Sequence, residues 1–189
     1  MSKLVLASSS ARRRSILREA GLSFRVDPSH IDENIGETRP RELVRKLARL
    51  KALEVAKRRP DAWVLGADTI VVCEGEILGK PRDVADALRM LTLLSGRWQR
   101  VYTGVALVLG RRAYVDVAVS RVKARRLDAE RLRRLAGKHM DKSGAYAVQD
   151  HRDPLVERIV GDRDNVMGLP MRVVRELLRR ARSSTRAKS

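Results

Sequence analysis

One acid set inside a run of strand-forming residues constrains this chain more than any other feature. Trp63-Val64-Leu65 reads as the start of a strand, and Gly66-Ala67 follows. Asp68-Thr69 then stands before Ile70-Val71-Val72-Cys73, which resumes the apolar pattern. A carboxylate taken out of water without a partner is costly. Asp68 is therefore expected to serve a partner, a metal or a reaction. Lys80 follows in Gly79-Lys80-Pro81, where the proline holds it in extended backbone. An acid and a base on rigid backbone suit a phosphate substrate.

With 189 residues the chain is long enough for one compact domain with a substantial core. Apolar residues reach 43%, which excludes a disordered chain. Aromatics are only 3%, so the core must be built from Val, Leu, Ile and Ala, and base stacking on an aromatic platform is not expected as the main activity. Lys and Arg number 41 against 23 acids, a net charge of +18. Such an excess attracts nucleotides, nucleic acid or acidic surfaces, although an arginine-rich solvated surface explains it equally well. The single Cys73 excludes an internal disulfide and reads as a buried, inert thiol. The apolar run at Leu4 to Ala7 is too short for a signal peptide, and no stretch approaches membrane-spanning length. A soluble cytoplasmic protein is the simplest expectation.

Strands and helices interleave along the chain. Lys3 to Ala7 reads as a strand, Ser8-Ser9-Ser10 as a turn and Arg12 to Ala20 as a helix stopped by Gly21. A short strand over Ser23 to Asp27 and a polar loop with Asp32 and Glu33 precede a helix opened by Pro40 and running to about Arg59. Within it Val44, Ala48, Lys51 and Val55 share one face, so Lys51 interrupts an apolar stripe. Its ammonium either snorkels to solvent or points into a cleft. Trp63 to Glu74 and Glu76 to Leu78 read as paired strands, and Asp83 as the cap of a helix burying Ala87, Leu88, Leu91 and Leu94. Arg100 to Leu109 and Ala113 to Lys123 form a long hairpin, and Asp128 caps a short basic helix. Ser143 to Val148 and Leu155 to Val160 read as further strands, Asn165 to Pro170 as a turn, and Met171 to about Arg182 as the last helix. The fold class is α/β, a mixed twisted sheet flanked by helices. Residues 1–182 are expected as one domain, and 183–189 as a basic tail that frays.

The turn at Ser8-Ser9-Ser10 and the arginines Arg12 and Arg13 lie between a strand and a helix N-terminus. Backbone N–H groups, hydroxyls and forked guanidinium groups there suit phosphate. It is not a Walker loop, because the Gly-Lys-Ser/Thr ending is missing. The competing reading is a helix cap followed by surface arginines. Asp68 is placed at the end of a strand, as a base toward water or a ligand of a divalent ion, or else as a turn cap. Thr69 offers a hydroxyl beside it. Lys51 and Lys80 are candidates for neutralising phosphate charge. Gly144 permits close backbone approach, and Gln149 offers an amide able to read a base edge. His30, His139 and His151 lack metal-ligand spacing. Neither a Gly-x-Ser-x-Gly elbow nor a zinc-finger or RNA-recognition signature is present.

Seven segments taken together resemble the Maf family of nucleoside triphosphate pyrophosphatases. They are Leu6-Ala7-Ser8-Ser9-Ser10-Ala11-Arg12-Arg13, Gly66-Ala67-Asp68-Thr69-Ile70-Val71, Gly79-Lys80-Pro81-Arg82-Asp83, Leu94-Ser95-Gly96, Val101-Tyr102-Thr103-Gly104-Val105, Asp141-Lys142-Ser143-Gly144-Ala145-Tyr146 and Gly168-Leu169-Pro170. The resemblance implies hydrolysis of a nucleoside triphosphate to monophosphate and pyrophosphate. It also implies two lobes with a central cleft, akin to inosine triphosphate pyrophosphatases. It puts the proton acceptor on Asp68, with Glu33 assisting metal or water placement, and phosphate contacts on Ser8, Ser10, Arg12, Arg13, Lys51 and Lys80. Mg²⁺ or Mn²⁺ would bind at Asp68 and Glu33. Arg13, Thr69 and Gln149 are similar to the set of the branch acting on dTTP and UTP. A homodimer is compatible with the resemblance. Ala11, Gln99, Ser143 and Ala147-Val148 depart from the usual pattern. Two other readings compete: a nucleotide- or nucleic-acid-binding regulator without turnover, and a purine pyrophosphatase of the inosine triphosphate type.

Overall fold

Parallel pairing of three short segments starts the sheet. In the computed structural model, which describes residues 4–148 and 154–186, β1 (Leu4–Leu6) pairs with β2 (Phe24–Val26) on one side and β3 (Trp63–Cys73) on the other. Leu4 lies opposite Phe24 and Trp63. Parallel neighbours need crossovers, and these are α1 (Ala11–Glu19) and α2 (Pro40–Arg58). β4 (Glu76–Leu78) folds back antiparallel on β3. After α3 (Val84–Leu94) come β5 (Trp98–Leu109), β6 (Arg112–Ala124), α4 (Ala129–Leu135), β7 (Val156–Val160), α5 (Arg163–Met167) and α6 (Met171–Arg186). The sheet is seven-stranded and mixed, ordered β2-β1-β3-β5-β6-β7 with β4 beside β3. The expected mixed α/β class holds.

Two compact units divide the chain. The first comprises Met1–Asp68, Thr103–Ala118 and Gly168–Ser189. Val5, Ala7, Ala48, Ala52, Val55, Val64, Ala106 and Val108 form one of its apolar clusters. The second comprises Thr69–Tyr102 and Val119–Met167, built on Leu78, Leu91, Leu94, Val122, Tyr146 and Leu155. Aliphatic and alanine side chains dominate both, as the scarcity of aromatics requires. Cys73 is buried, with its thiol against the Leu93 and Trp98 carbonyls.

Local chemistry sets the helix boundaries. Pro40 opens α2, and Asp128 accepts the Arg131 N–H at 2.8 Å to cap α4. At α3 two acids cap reciprocally. Asp83 accepts the Asp86 N–H at 2.7 Å, while Asp86 accepts the Arg82 N–H at 3.2 Å. Met90 rather than Leu88 completes the buried side of α3, and Leu88 is half-buried.

Three expectations need correction. Ser143 to Val148 is not a strand. Ser143–Ala145 is a tight 3₁₀ turn, because Gly144 (φ 76°) and Ala145 (φ 60°) are both left-handed, which no strand tolerates. Asn165 to Pro170 is not all turn, since α5 runs through Met167. Its buried Asn165 donates to the Val101 carbonyl at 3.1 Å and to Ser120 Oγ at 2.9 Å. The last helix continues past Arg182 to Arg186.

Gly104 on β5 sits directly beneath α2. A Cβ there would overlap the Val44 carbonyl and lie 3.0 Å from the Arg45 nitrogen. Gly104→Ala is expected to destabilise the protein by about 1–3 kcal/mol; an unchanged urea midpoint would refute the close approach. Asp86 gives a pH prediction. The Arg82 N–H holds its carboxyl below the usual carboxylate range, burial opposes this, and the Arg82 and Arg89 side chains add to the depression. A depressed carboxylate stabilises the fold above its unfolded pKa, about 4, and that contribution disappears as pH falls through the lower folded value. Asp86→Asn should therefore lose stability at neutral pH and show a shallower acid decline. A pH–stability profile parallel to the parent protein's would contradict this.

Candidate active site

Close contact between α2 and β3 creates the centre of the site. A Cβ at Gly66 would overlap the Ala48 carbonyl and lie 2.8 Å from the Ala52 nitrogen. Only glycine lets helix and strand backbones meet here. Two residues on, Asp68 lies mid-strand in β3, not at a strand end as expected, and is only 5% exposed. Lys51, 8% exposed on the buried stripe of α2, reaches it. Its ammonium is 2.6 Å from Asp68 Oδ1 and 2.8 Å from Glu33 Oε1. Lys51 therefore does not snorkel outward; it bridges two carboxylates. Glu33 comes from the loop before α2, with its side chain 51% exposed, so one acid is enclosed and the other approaches from solvent.

The β1–α1 turn supplies the second half. Ser10 caps α1 by accepting the Arg13 N–H at 3.5 Å. Ser8, nearly buried, accepts from the Ser10 N–H at 3.3 Å and from Arg13 Nη1 at 3.1 Å. Arg13 Nε donates to the Gly168 carbonyl at 2.8 Å. The serine turn therefore caps the helix and also orients the Arg13 guanidinium. Enclosure pulls the Arg13 guanidinium below its ordinary range; Asp68 opposes this, Arg12 adds to it, and Glu33 opposes it. Arg13 thus feels both site carboxylates and the half-buried Arg12.

Ser8, Ser10, Arg12, Arg13, Glu33, Lys51 and Asp68 all belong to the first compact unit. Thr69 and Lys80 belong to the second. There the Thr69 carbonyl accepts from Ser143 Oγ at 2.7 Å. Lys80 is exposed, and the carbonyl of Gly79 before it accepts the Gly144 N–H at 3.0 Å. Gln149 lies outside the described residues. The Gly168 carbonyl was not anticipated as a site group, because Gly168-Leu169-Pro170 reads only as punctuation before a helix.

Asp68 and Glu33 present hard oxygen donors that converge on the Lys51 ammonium. Among the described residues no third His, Cys, Asp or Glu joins them. Carboxylate donors of this kind match the chemistry of Mg²⁺ or Mn²⁺, which needs only one or two protein carboxylates beside phosphate and water oxygens. They do not fit a structural zinc site.

Known proteins resemble this chain along most of its length. The chain is 45% identical over 179 residues to a protein of Elusimicrobium minutum named dTTP/UTP pyrophosphatase, covering 94% of this chain and 97% of that one. It is 49% identical over 183 residues to a protein of the same name from Moorella thermoacetica, covering 94% of both. A third of that name, from Thermosipho africanus, is 43% identical over 178 residues, covering 93% of this chain and 92% of its own. The sequence profile described as Maf-like protein matches residues 3–181. The chain belongs to that Maf-like family.

Proposed function

We propose that this chain hydrolyses nucleoside triphosphates, dTTP and UTP foremost, to the monophosphate and pyrophosphate. The observation that carries the reading is the enclosed Lys51–Asp68 pair with Glu33 at its side, in a chain similar along nearly its whole length to proteins bearing that name.

The reaction needs a directed water and stabilisation of a highly charged leaving group. Water attacks the α-phosphorus, its oxygen bonds to phosphorus, and the anhydride bond to pyrophosphate breaks. Asp68 Oδ1 is engaged by Lys51, which leaves Oδ2 to orient the water and accept its proton. An ammonium has three N–H donors. Two of those of Lys51 meet Asp68 and Glu33, and the third is directed to a phosphate oxygen. Arg12 and Arg13, on the helix-capping turn with Ser8 and Ser10, hold the remaining phosphate charge. A divalent cation bound at Asp68 and Glu33 would add further neutralisation of the phosphate oxygens. Lys80 as a phosphate contact, and Thr69, Arg13 and Gln149 as readers of the pyrimidine edge, are supported by the family resemblance.

Asp68→Asn is expected to lower pyrophosphate release from UTP and dTTP by about 10²–10³ while keeping its circular dichroism, the loss typical of one catalytic electrostatic group. Near-normal turnover would remove Asp68 from its role. A panel of UTP, dTTP, CTP, GTP and ITP should show the first two preferred; equal rates on all five would refute the pyrimidine reading. The structural worth of the pair is measured separately. Lys51→Met leaves a buried carboxylate uncompensated and should cost about 3–5 kcal/mol in urea unfolding, whereas Lys51→Met with Asp68→Leu should cost less than the sum of the two single changes. Strict additivity would show that the two groups do not interact.

A further inference from the structure

Among the described residues, the second compact unit exposes alternate positions along one side of its sheet. Along β5, Trp98 and Arg100 are exposed while Gln99 and Val101 are buried. Along β6, Val119 and Arg121 are exposed while Ala118, Ser120 and Val122 are buried. The β6–β7 register sets Arg121 beside Val160 and Lys123 beside Arg158, and Arg158 and Val160 are exposed as well. The Arg121 guanidinium lies 4.7 Å from the centre of the Trp98 ring, which puts β5 and β6 on one shared face. Trp98 is 38% exposed, Val119 38% and Val160 41%. These positions carry no acid. Glu157, the acid of β7, is exposed at the register shift where Lys123 faces Arg158 and Ala124 faces Val156. The Lys123 ammonium is tied to the Gly96 carbonyl at 2.7 Å, so Arg100, Arg121 and Arg158 are the cations left to meet a ligand.

We propose that this face binds single-stranded nucleic acid, stacking bases on the Trp98–Arg121 pair and placing Arg100, Arg121 and Arg158 on the phosphates. The chain has few aromatic residues, yet Trp98 lies on this strand and Tyr102, half-buried, follows it at the same alternation. Unpaired bases have free π-faces that stack on indole and guanidinium planes; a duplex hides them. A second copy of this chain is the poorer occupant, because two-fold pairing would set these arginines largely against arginines. The inference does not depend on the hydrolytic reading, since none of these residues belongs to that site.

The test is fluorescence anisotropy of a labelled oligo(dT) of about 15 nucleotides, titrated with the full chain at two salt concentrations, with inorganic polyphosphate as competitor. Trp98→Ala should weaken binding by about 5- to 100-fold. Arg100→Ala with Arg121→Ala should reduce the salt slope by about 1.4. Arg175→Ala with Arg179→Ala, on the arginine-rich helix α6, should change affinity less than twofold. Retained circular dichroism and an unchanged urea midpoint certify folding of each variant. Should Trp98→Ala not fold, Trp98→Phe is expected to keep binding and Trp98→Leu to lose it. Unchanged affinity in Trp98→Ala or Trp98→Leu, an equal loss in the α6 variant, or polyphosphate competing as well as unlabelled oligo(dT) would each overturn the proposal. So would sedimentation as a dimer that Trp98→Ala or Trp98→Leu dissociates.

Discussion

Everything chemical in the first unit depends on how closely α2 lies on β3. Gly66 removes the side chain that would hold helix and strand apart. That approach sets Lys51 within 2.6 Å of Asp68 although both are nearly sealed from solvent. Neither group would be tolerable there alone, since an isolated buried charge costs several kcal/mol even after relaxation. A larger residue at Gly66 would therefore do more than strain the packing: it would part an acid from the base that makes it admissible. Gly104 repeats the device on β5, against the first turns of the same helix. Two glycines on two strands thus seat one helix.

Much of this is visible in the sequence, and the reason is physical. A lysine inside the apolar stripe Val44, Ala48, Val55 and an aspartate inside an apolar strand are each unfavourable alone, and the two anomalies resolve each other. Periodicity finds both because it registers a misplaced charge as readily as a well-placed leucine. Composition likewise requires the aliphatic cores. Backbone conformation is less legible. Ser143 to Val148 looks like a strand by composition, but Gly144 and Ala145 take left-handed angles, and alanine gives no sign of that. Asp68 looked like a strand end because Gly66-Ala67 resembles a break. The glycine instead marks a helix crossing, and β3 runs straight through it. The Gly168 carbonyl that anchors Arg13 could not be read at all, because every residue carries a carbonyl and only the fold selects one.

The two acids at Lys51 differ in a way that suits a site needing both permanence and exchange. Asp68 is built into β3, and its position follows from the sheet. Glu33 rides on a loop, with half its side chain in solvent. Surface ion pairs contribute little and exchange readily with water. The enclosed pair is therefore the fixed element and the Glu33 contact the adjustable one.

The same geometry explains why a lysine rather than an arginine serves at position 51. Two carboxylates approach one point from different elements, and the proposed phosphate would make a third. A compact ammonium offers three donors that can be turned toward all of them. A guanidinium presents a planar fork matched to one bidentate partner, and beneath Gly66 the space between helix and strand is already closed by backbone. Arginine is used instead at position 13, where its partners are a carbonyl and a hydroxyl fixed at 2.8 and 3.1 Å. There the rigid plane is an advantage, because two static acceptors set its orientation before any phosphate arrives. The site thus divides its cations by shape: one compact ammonium between the acids, and one planar fork on the turn that caps the first helix.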